Sequence, residues 1–141
     1  AQAEPAILAL LPEGDLETQL EVLFVVQELR SKAAVPALLD FLKQSQSRRR
    51  ELIRVREKVV EVLGVLGSAS VIPVLDQLLA RRRSFFVDKT EPLAVRLAAL
   101  QALLDLNTPE AQAVAARVLE AEPPGPDREA LQGLVLTQLQ G

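Results

Sequence analysis

The sequence VLGVLGSASVIPVL, residues 62–75, has a counterpart earlier in the same chain. The earlier copy is VVQELRSKAAVPAL, residues 25–38, and the two align without a gap, so that Pro73 stands 37 residues after Pro36. Each copy reads as the end of one helix, a short break and the start of a second helix, because Pro is well tolerated in the first turn of a helix. The pair therefore predicts a repeated unit of two helices.

A third copy follows at an offset of 40 residues, where Val55-Arg56 corresponds to Val95-Arg96 and Leu63 to Leu103. Repeats of about 40 residues made of two helices are typical of the HEAT and armadillo solenoids. In a solenoid, each helix pair buries its apolar face only by stacking on its neighbours. The sequence thus predicts an all-α fold, a HEAT-like α-solenoid of about eight helices stacked as antiparallel pairs.

The predicted boundaries follow from residues suited to helix ends. Asp15 and Thr108 can begin helices as N-caps, Gly67 can end one, and Asp127 can cap the last helix. A length of 141 residues is that of one ordinary domain. We expect a capping helix over about 1–11, repeats over about 15–44, 48–81 and 92–122, and a C-terminal capping helix over about 127–140.

Leu and Ala supply 46 of the 141 residues, which suits stacked helices, because Leu fills a core and Ala allows close approach. In the first helix of the first repeat, apolar residues recur at steps of three and four and predict one broad face. They are Leu16, Leu20, Leu23, Phe24, Val25, Val26 and Leu29. The predicted helix contact points are Ala98, Ala99, Ala102, Ala115 and Ala116.

The composition disfavours most enzyme classes. The chain has no Cys and no His, so it lacks a thiolate nucleophile, the usual general base and the commonest metal ligand. The glycines of Gly64-Val65-Leu66-Gly67-Ser68 lack the Gly-Lys-Ser/Thr ending of a phosphate loop and predict a helix C-cap followed by an N-cap. We therefore expect no catalytic residue, no metal and no cofactor. No apolar run approaches the ~20 residues of a membrane-spanning helix.

The net charge of −3 conceals a segregated pattern, with residues 1–42 at −5, 43–96 at +6 and 97–141 at −4. Two arginine triplets stand in equivalent connections, each joining the second helix of one pair to the first helix of the next. Such connections emerge along one edge of a solenoid, so the triplets are expected to be neighbours. We define this candidate binding surface as the basic edge: Arg48, Arg49, Arg50, Arg81, Arg82, Arg83 and Lys89. The favoured interpretation is that each triplet is a solvated loop or helix end that partly complements the dipole at a helix C-terminus.

Two aromatic residues, Phe85 and Phe86, lie inside the second basic connection. The favoured interpretation is that one or both fill the groove between repeats. Otherwise they form an apolar anchor surrounded by arginine, which is the residue mixture of binding hot spots.

Two further sets of residues recur with the repeat. Arg56 and Arg96 are expected to pair with acids or carbonyl groups between stacked helices rather than with a ligand. The second helices of the pairs normally line the concave face of a solenoid. The repeat offsets place Asp40, Gln77 and Arg117 in one polar row there, which we name the concave row. It is either a groove for a partner or a solvated surface.

The residues Val55-Arg56, Val62-Leu63-Gly64 and Val71-Ile72-Pro73-Val74-Leu75 together resemble the bacterial HEAT-like repeat of the phycobilisome-lyase type. The third copy departs from that pattern at Asn107 and Ala113, which replace the helix-ending Gly and the Pro. The resemblance implies a fold far more specifically than a function, because such repeats serve unrelated tasks.

Three functions remain open. We favour a non-enzymatic module, part of a larger bacterial protein, that binds a protein or peptide through the concave face or the basic edge. The first alternative is DNA or RNA binding by phosphate contacts along that edge, which the acidic flanks and the absence of Tyr and Trp disfavour. The second alternative, implied by the resemblance alone, is a lyase-like or chaperone role toward a cofactor-bearing protein.

Overall fold

The structure is a computed structural model that describes residues 4–45, 49–84 and 86–140. Within these ranges the chain forms eight α-helices, and the prediction of an all-α solenoid is confirmed. The helices are α1 (Glu4–Ala9), α2 (Leu16–Leu29), α3 (Val35–Gln44), α4 (Arg50–Leu66), α5 (Ile72–Leu79), α6 (Leu93–Leu106), α7 (Pro109–Ala121) and α8 (Pro126–Gln140).

The helices stack in the order of the chain. The first helix of the middle pair, α4, packs between α2 and α6, and α6 also contacts α5, α7 and α8. The buried residues form one continuous apolar cluster from Leu11 to Leu131. This arrangement provides each amphipathic helix with a neighbour on which to bury its apolar face.

The helix ends follow the capping residues closely. The Oδ1 atom of Asp15 accepts a hydrogen bond from the Thr18 backbone N–H at 2.8 Å, and Thr108 caps α7 in the same manner. The first helix of each pair ends on a residue in the left-handed conformation, with φ of 50° at Arg30, 71° at Gly67 and 50° at Asn107. Only one of these three residues is glycine, the residue for which this conformation carries little strain.

Asp127 does not cap the last helix as predicted, because α8 already begins at Pro126. Its carboxylate instead lies 3.4 Å from the guanidinium groups of Arg81 and Arg96. The two guanidinium groups add full positive charges to the partial positive charge of the helix N-terminus.

The first and third helix pairs correct two details of the expected packing. In α2, Leu23 and Val26 are fully buried, but Phe24, Val25 and Leu29 are exposed. The prediction of one broad buried face was therefore too wide for this helix. Ala116 is also exposed, whereas the other four predicted alanine contact points are buried.

Helices α4 and α6 approach each other most closely at Gly64. A Cβ atom at this position would lie 3.0 Å from both the Cα and the Cβ atoms of Ala102. A Cβ atom at position 64 would therefore force the facing backbone to shift by a few tenths of an ångström, in agreement with the predicted role of Ala102 as a contact point.

The connection from α5 to α6 contains a small hairpin. Strand β1 (Arg83–Ser84) pairs antiparallel with strand β2 (Val87–Asp88). The Arg82 N–H donates to the Thr90 Oγ1 at 2.9 Å, and the Lys89 N–H donates to the Arg82 carbonyl oxygen, so the base of the hairpin is closed. The sequence left open whether α5 continues through this segment, but α5 ends at Leu79.

Candidate functional site

The two repeated arginines are buried structural residues. The Arg56 side chain extends from α4 to the end of α3, where it donates to the Leu42 carbonyl oxygen at 2.6 Å and to both oxygens of Ser45. Its Nη2 atom also forms an ion pair with Glu91 at 2.7 Å. Because the last carbonyls of a helix lack intrahelical donors, this arginine satisfies groups that α3 itself leaves unpaired.

Arg96 repeats this arrangement one helix pair later. It donates to the Leu79 carbonyl oxygen at the end of α5, at 2.9 and 2.7 Å, and it is fully buried. Its guanidinium also binds both carboxylate oxygens of Glu122, at 2.5 and 3.1 Å. The prediction that Arg56 and Arg96 pair with acids and carbonyl groups between helices is confirmed.

Glu122 joins three parts of the chain. Its carboxylate is almost fully buried and accepts hydrogen bonds from Arg96 and also from Arg81, at 2.7 and 3.0 Å. The Arg96 hydrogen bonds, followed by those of Arg81, hold the pKa of Glu122 below its ordinary value despite burial, which acts in the opposite direction. The segment between α7 and α8 is thereby attached to α6 and to the end of α5.

One end of each basic connection contacts the same residue, Arg56. Ser45, which follows α3, and Glu91, which precedes α6, both bind the Arg56 guanidinium. The first connection leaves α3 and the second reaches α6 at this shared point. The geometry therefore places these two ends of the connections on one edge of the helix stack.

The side chains of five residues of the basic edge are described, and all five are exposed: Arg49, Arg50, Arg81, Arg82 and Lys89. Arg48 lies outside the described residues, and only the backbone of Arg83 is described. The guanidinium of Arg81 binds Glu122 and Asp127 of the same chain. The hydrogen bond to Glu122 raises the pKa of Arg81, and this interaction leaves fewer of its donors for an external anion.

Phe86 is located at the turn of the β1–β2 hairpin and is fully exposed, with a relative accessibility of 105%. The favoured interpretation, that it fills the groove between repeats, is wrong for this residue. The hairpin carries Phe86 away from the helix stack, which sequence periodicity could not indicate. Phe85, the second half of the predicted apolar anchor, lies outside the described residues.

The residues of the concave row are all exposed, as their polar character predicts. Arg117 forms an exposed ion pair with Asp76, which precedes Gln77 in α5. This contact brings the α7 and α5 members of the row close together. Asp40 lies on α3, in the first pair, and is exposed as well.

The partners of the buried arginines were not identified from the sequence. Ser45, Glu91 and Glu122 belong to loops and helix ends, where the repeat pattern is weakest. A partial signal was available, because both arginines recur at one repeat position and a buried guanidinium requires an acceptor. The sequence could not select which of the nineteen acids would provide it.

No group of three or more acids within the described ranges is arranged to hold a metal ion. In the same ranges, no helix has the length and apolar character needed to cross a bilayer.

The comparison with known families agrees with this architecture. The family model for HEAT repeats matches residues 3–91, which extend from α1 to the end of the hairpin connection. No curated protein matches the chain in sequence. HEAT repeats generally act as scaffolds for protein interaction. The matched region is more than half of the chain and contains the first two helix pairs with their buried arginine, and the chain accordingly belongs to the HEAT repeat family.

Proposed function

We propose that this chain is a non-enzymatic interaction module that binds a protein or peptide partner at the basic edge, with Phe86 as its apolar anchor. The observation that carries the proposal is the full exposure of Phe86 at the tip of a hairpin whose base includes Arg82 and Lys89. An exposed aromatic side chain beside cationic groups combines large contact area with charge, as binding hot spots do.

The chemistry of the partner follows from this surface. Arg50, the first residue of α4, and Arg82, in the second connection, are exposed, and arginine forks bind carboxylate groups in a bidentate manner. The complementary surface would therefore offer an apolar pocket for Phe86 surrounded by carboxylates. The concave row is a weaker candidate, because Arg117 is already paired with Asp76.

The test is a quantitative pull-down with the tagged chain, compared between Phe86→Ser, Arg50→Glu/Arg82→Glu and the unaltered protein. We expect both variants to lose at least one partner that the unaltered protein retains. Arg54→Glu is the matched control, because Arg54 is exposed on α4 but lies outside both connections. Equal recovery of all partners by every variant would remove the basic edge from the proposal.

Binding of DNA or RNA through the same edge receives less support. Arg56, Arg81 and Arg96 belong to the basic middle segment, yet each is paired with an acid of the same chain. The charge available to phosphates is thus smaller than the segment total of +6 implies. Counterion release predicts steep salt dependence, so gel retardation at low salt would reveal such binding.

We also propose, on the Val-Arg and Ile-Pro motifs alone, that the repeats are of the phycobilisome-lyase type. The buried role of Arg56 explains why its position within a repeat would favour arginine. This subtype does not by itself favour a lyase-like or chaperone role over scaffolding.

A further inference from the structure

The hairpin between α5 and α6 brings two cationic residues opposite each other. Strand β1 pairs Arg83 with Asp88 of β2. One residue pair nearer the base of the hairpin, the Lys89 N–H donates to the Arg82 carbonyl oxygen, so Arg82 lies directly opposite Lys89. Residues opposite each other in an antiparallel pair extend from the same face, with Cβ atoms about 4.5–5.5 Å apart.

The two cations lack a counter-charge of their own. Both side chains are exposed, and among the residues that the structure describes neither forms an ion pair. Asp88, the acid next to Lys89, lies on the other face, because successive residues of a strand alternate between faces. Its Oδ1 atom accepts a hydrogen bond from the Thr90 backbone N–H at 2.9 Å. Like charges directly opposite each other destabilise a hairpin, so this pair is kept at a cost in stability.

The spacing of the two cations is fixed by Thr90. This residue is only 6% exposed, and its Oγ1 atom accepts a hydrogen bond from the Arg82 backbone N–H at 2.9 Å. Lys89 immediately precedes it and is bonded to Arg82 through the backbone. The two charges therefore stand on a closed hairpin base rather than on a loop that can separate them. A site held in this way before binding loses less entropy when its ligand arrives.

The charge at the hairpin base matches a dianion. The guanidinium of the neighbouring Arg81 binds Glu122 and Asp127, whereas Arg82 and Lys89 supply two positive charges to a ligand. A carboxylate balances one of these charges. A phosphate monoester carries about 1.5 to 2 negative charges at neutral pH and offers three acceptor oxygens, so a single such group balances both cations.

We propose that Arg82 and Lys89 together bind a phosphate monoester on a phosphorylated side chain of the protein partner. The guanidinium can donate to two phosphate oxygens and the ammonium to the third, and such charge-assisted hydrogen bonds are strong. The inference rests on the proposed binding of a protein partner at the basic edge and names one chemical group of that partner.

Phe86 sets where an apolar residue of the partner would lie. It stands at the turn of the hairpin, three residues before Lys89, which is about 10 Å at about 3.3 Å per strand residue. An extended peptide advances by the same distance per residue. The apolar residue that contacts Phe86 would therefore stand about three residues from the phosphorylated one.

The experiment is a fluorescence anisotropy titration of the complete chain with labelled peptides of one design. Each has Leu three residues to either side of a central residue and Gly or Ala elsewhere, and the central residue is phosphoserine, Ser or Glu. We expect saturable binding of the phosphoserine peptide, at least about tenfold tighter than that of the Ser peptide and tighter than that of the Glu peptide. Equal affinity for the phosphoserine and Glu peptides would show that one negative charge suffices and would overturn the proposal.

Variants locate the phosphate on the hairpin. Arg82→Gln and Lys89→Gln should each weaken binding of the phosphoserine peptide by about tenfold. Arg54→Gln, at an exposed position of α4 outside both connections, should leave it unchanged. Because each hairpin variant removes one of two like charges, neither should lower the midpoint of urea unfolding. Unchanged affinity in both hairpin variants, or a lower midpoint in Lys89→Gln, would contradict a cation pair kept for a ligand.

Two further probes identify the source of the phosphate. Inorganic phosphate added as a competitor should displace the phosphoserine peptide only at much higher concentration, because it makes no contact with Phe86. Displacement at equal concentration would assign the pair to a free anion. A labelled single-stranded DNA oligonucleotide should bind more weakly than the phosphoserine peptide, since each phosphodiester carries one negative charge. Tighter binding of the DNA would reject the peptide in favour of a nucleic acid.

Phosphatase treatment of the lysate in the pull-down distinguishes this inference from the proposed function. We expect a partner that depends on Arg82 to be lost after the treatment. Equal recovery of that partner would leave the basic edge in place and reject the phosphate. If the pull-down recovers no partner that depends on Arg82, the proposed function fails, and the peptide titration still decides whether the hairpin binds phosphate.

Discussion

Replacement of Glu122 by Gln tests how the C-terminal helix is attached to the repeats. The buried carboxylate accepts two hydrogen bonds from Arg96 and two from Arg81. Gln removes the negative charge and leaves the fully buried Arg96 guanidinium in place. Loss of one partner from a buried ion pair costs about 3–5 kcal/mol. Because Asp127 and the Leu79 carbonyl oxygen still contact Arg96, we expect the lower end, about 3 kcal/mol.

The free energy of unfolding is best measured by urea titration with far-ultraviolet circular dichroism, because the chain has no Trp or Tyr for intrinsic fluorescence. Arg117→Ala is the control, since it breaks an ion pair whose arginine is 61% exposed, and we expect a cost below about 1 kcal/mol. A loss in Glu122→Gln no greater than in this control would refute the view that the buried pair stabilises the C-terminal attachment.

The pH dependence provides a second check on the same residue. The hydrogen bonds from Arg96 lower the pKa of Glu122 in the folded protein. The ionised carboxylate therefore contributes fully to the free energy of unfolding above the ordinary glutamate pKa of 4.5, and this contribution is lost as the pH falls through the lower, folded-state pKa. We expect the stability difference between the unaltered protein and Glu122→Gln to narrow below about pH 4.5. Asp15, the N-cap whose pKa is lowered by its hydrogen bonds to Thr18, is present in both proteins. Its own effect on the pH dependence of stability therefore cancels in the difference between them. A stability difference between the two proteins that stays constant on acidification would contradict the role of ionised Glu122 as the partner of Arg96.

Two further predictions concern the backbone. Gly64→Ala should lower the free energy of unfolding by about 1 kcal/mol, because the added Cβ overpacks against Ala102 more than the better helix propensity of Ala can offset. In the double variant Gly64→Ala/Ala102→Gly, the smaller residue at position 102 should recover part of the lost free energy of unfolding. A gain in stability for Gly64→Ala alone would disprove the tight crossing of α4 and α6. Arg30→Gly should stabilise the protein by about 1 kcal/mol and Asn107→Gly by less, since Asn tolerates the left-handed conformation better. Urea titration should also show that Gly67→Ala is less stable than the unaltered protein. An unchanged stability would contradict the view that a non-glycine residue is strained in the left-handed conformation at the end of the first helix of each pair.

Helix boundaries were predictable where their cause is local. Asp15 and Thr108 begin helices because their side-chain oxygens accept from backbone N–H groups three residues later, and Gly67 ends one because it adopts a positive φ cheaply. Asp127 shows the limit of such reasoning. It has the right residue type for a cap, but two arginines distant in sequence occupy its carboxylate.

The candidate surfaces were less predictable than the helices. Exposed Arg49 could be placed on a connection from the repeat alone, whereas Arg50 already belongs to α4. The pairing of Arg81 with Glu122 spans 41 residues and follows no repeat offset. The exposed face of α2 had a usable signal, since Phe24 aligns with Glu61 and Gln101. Helical periodicity assigned Phe24 to the buried face because periodicity does not show which side of a helix meets a neighbour.

By itself, the sequence determined the repeat, most of the helix ends and the burial of Arg56 and Arg96, because these depend on local capping chemistry and on a pattern that recurs at fixed offsets along the chain. Only the tertiary structure decided that Arg81 turns toward Glu122, that a hairpin exposes Phe86 and that α2 exposes Phe24 and Val25. Those outcomes depend on contacts between residues far apart in the chain and on the position of each repeat in the stack. Val25 and Val62 stand at equivalent repeat positions, yet Val62 is buried and Val25 is exposed.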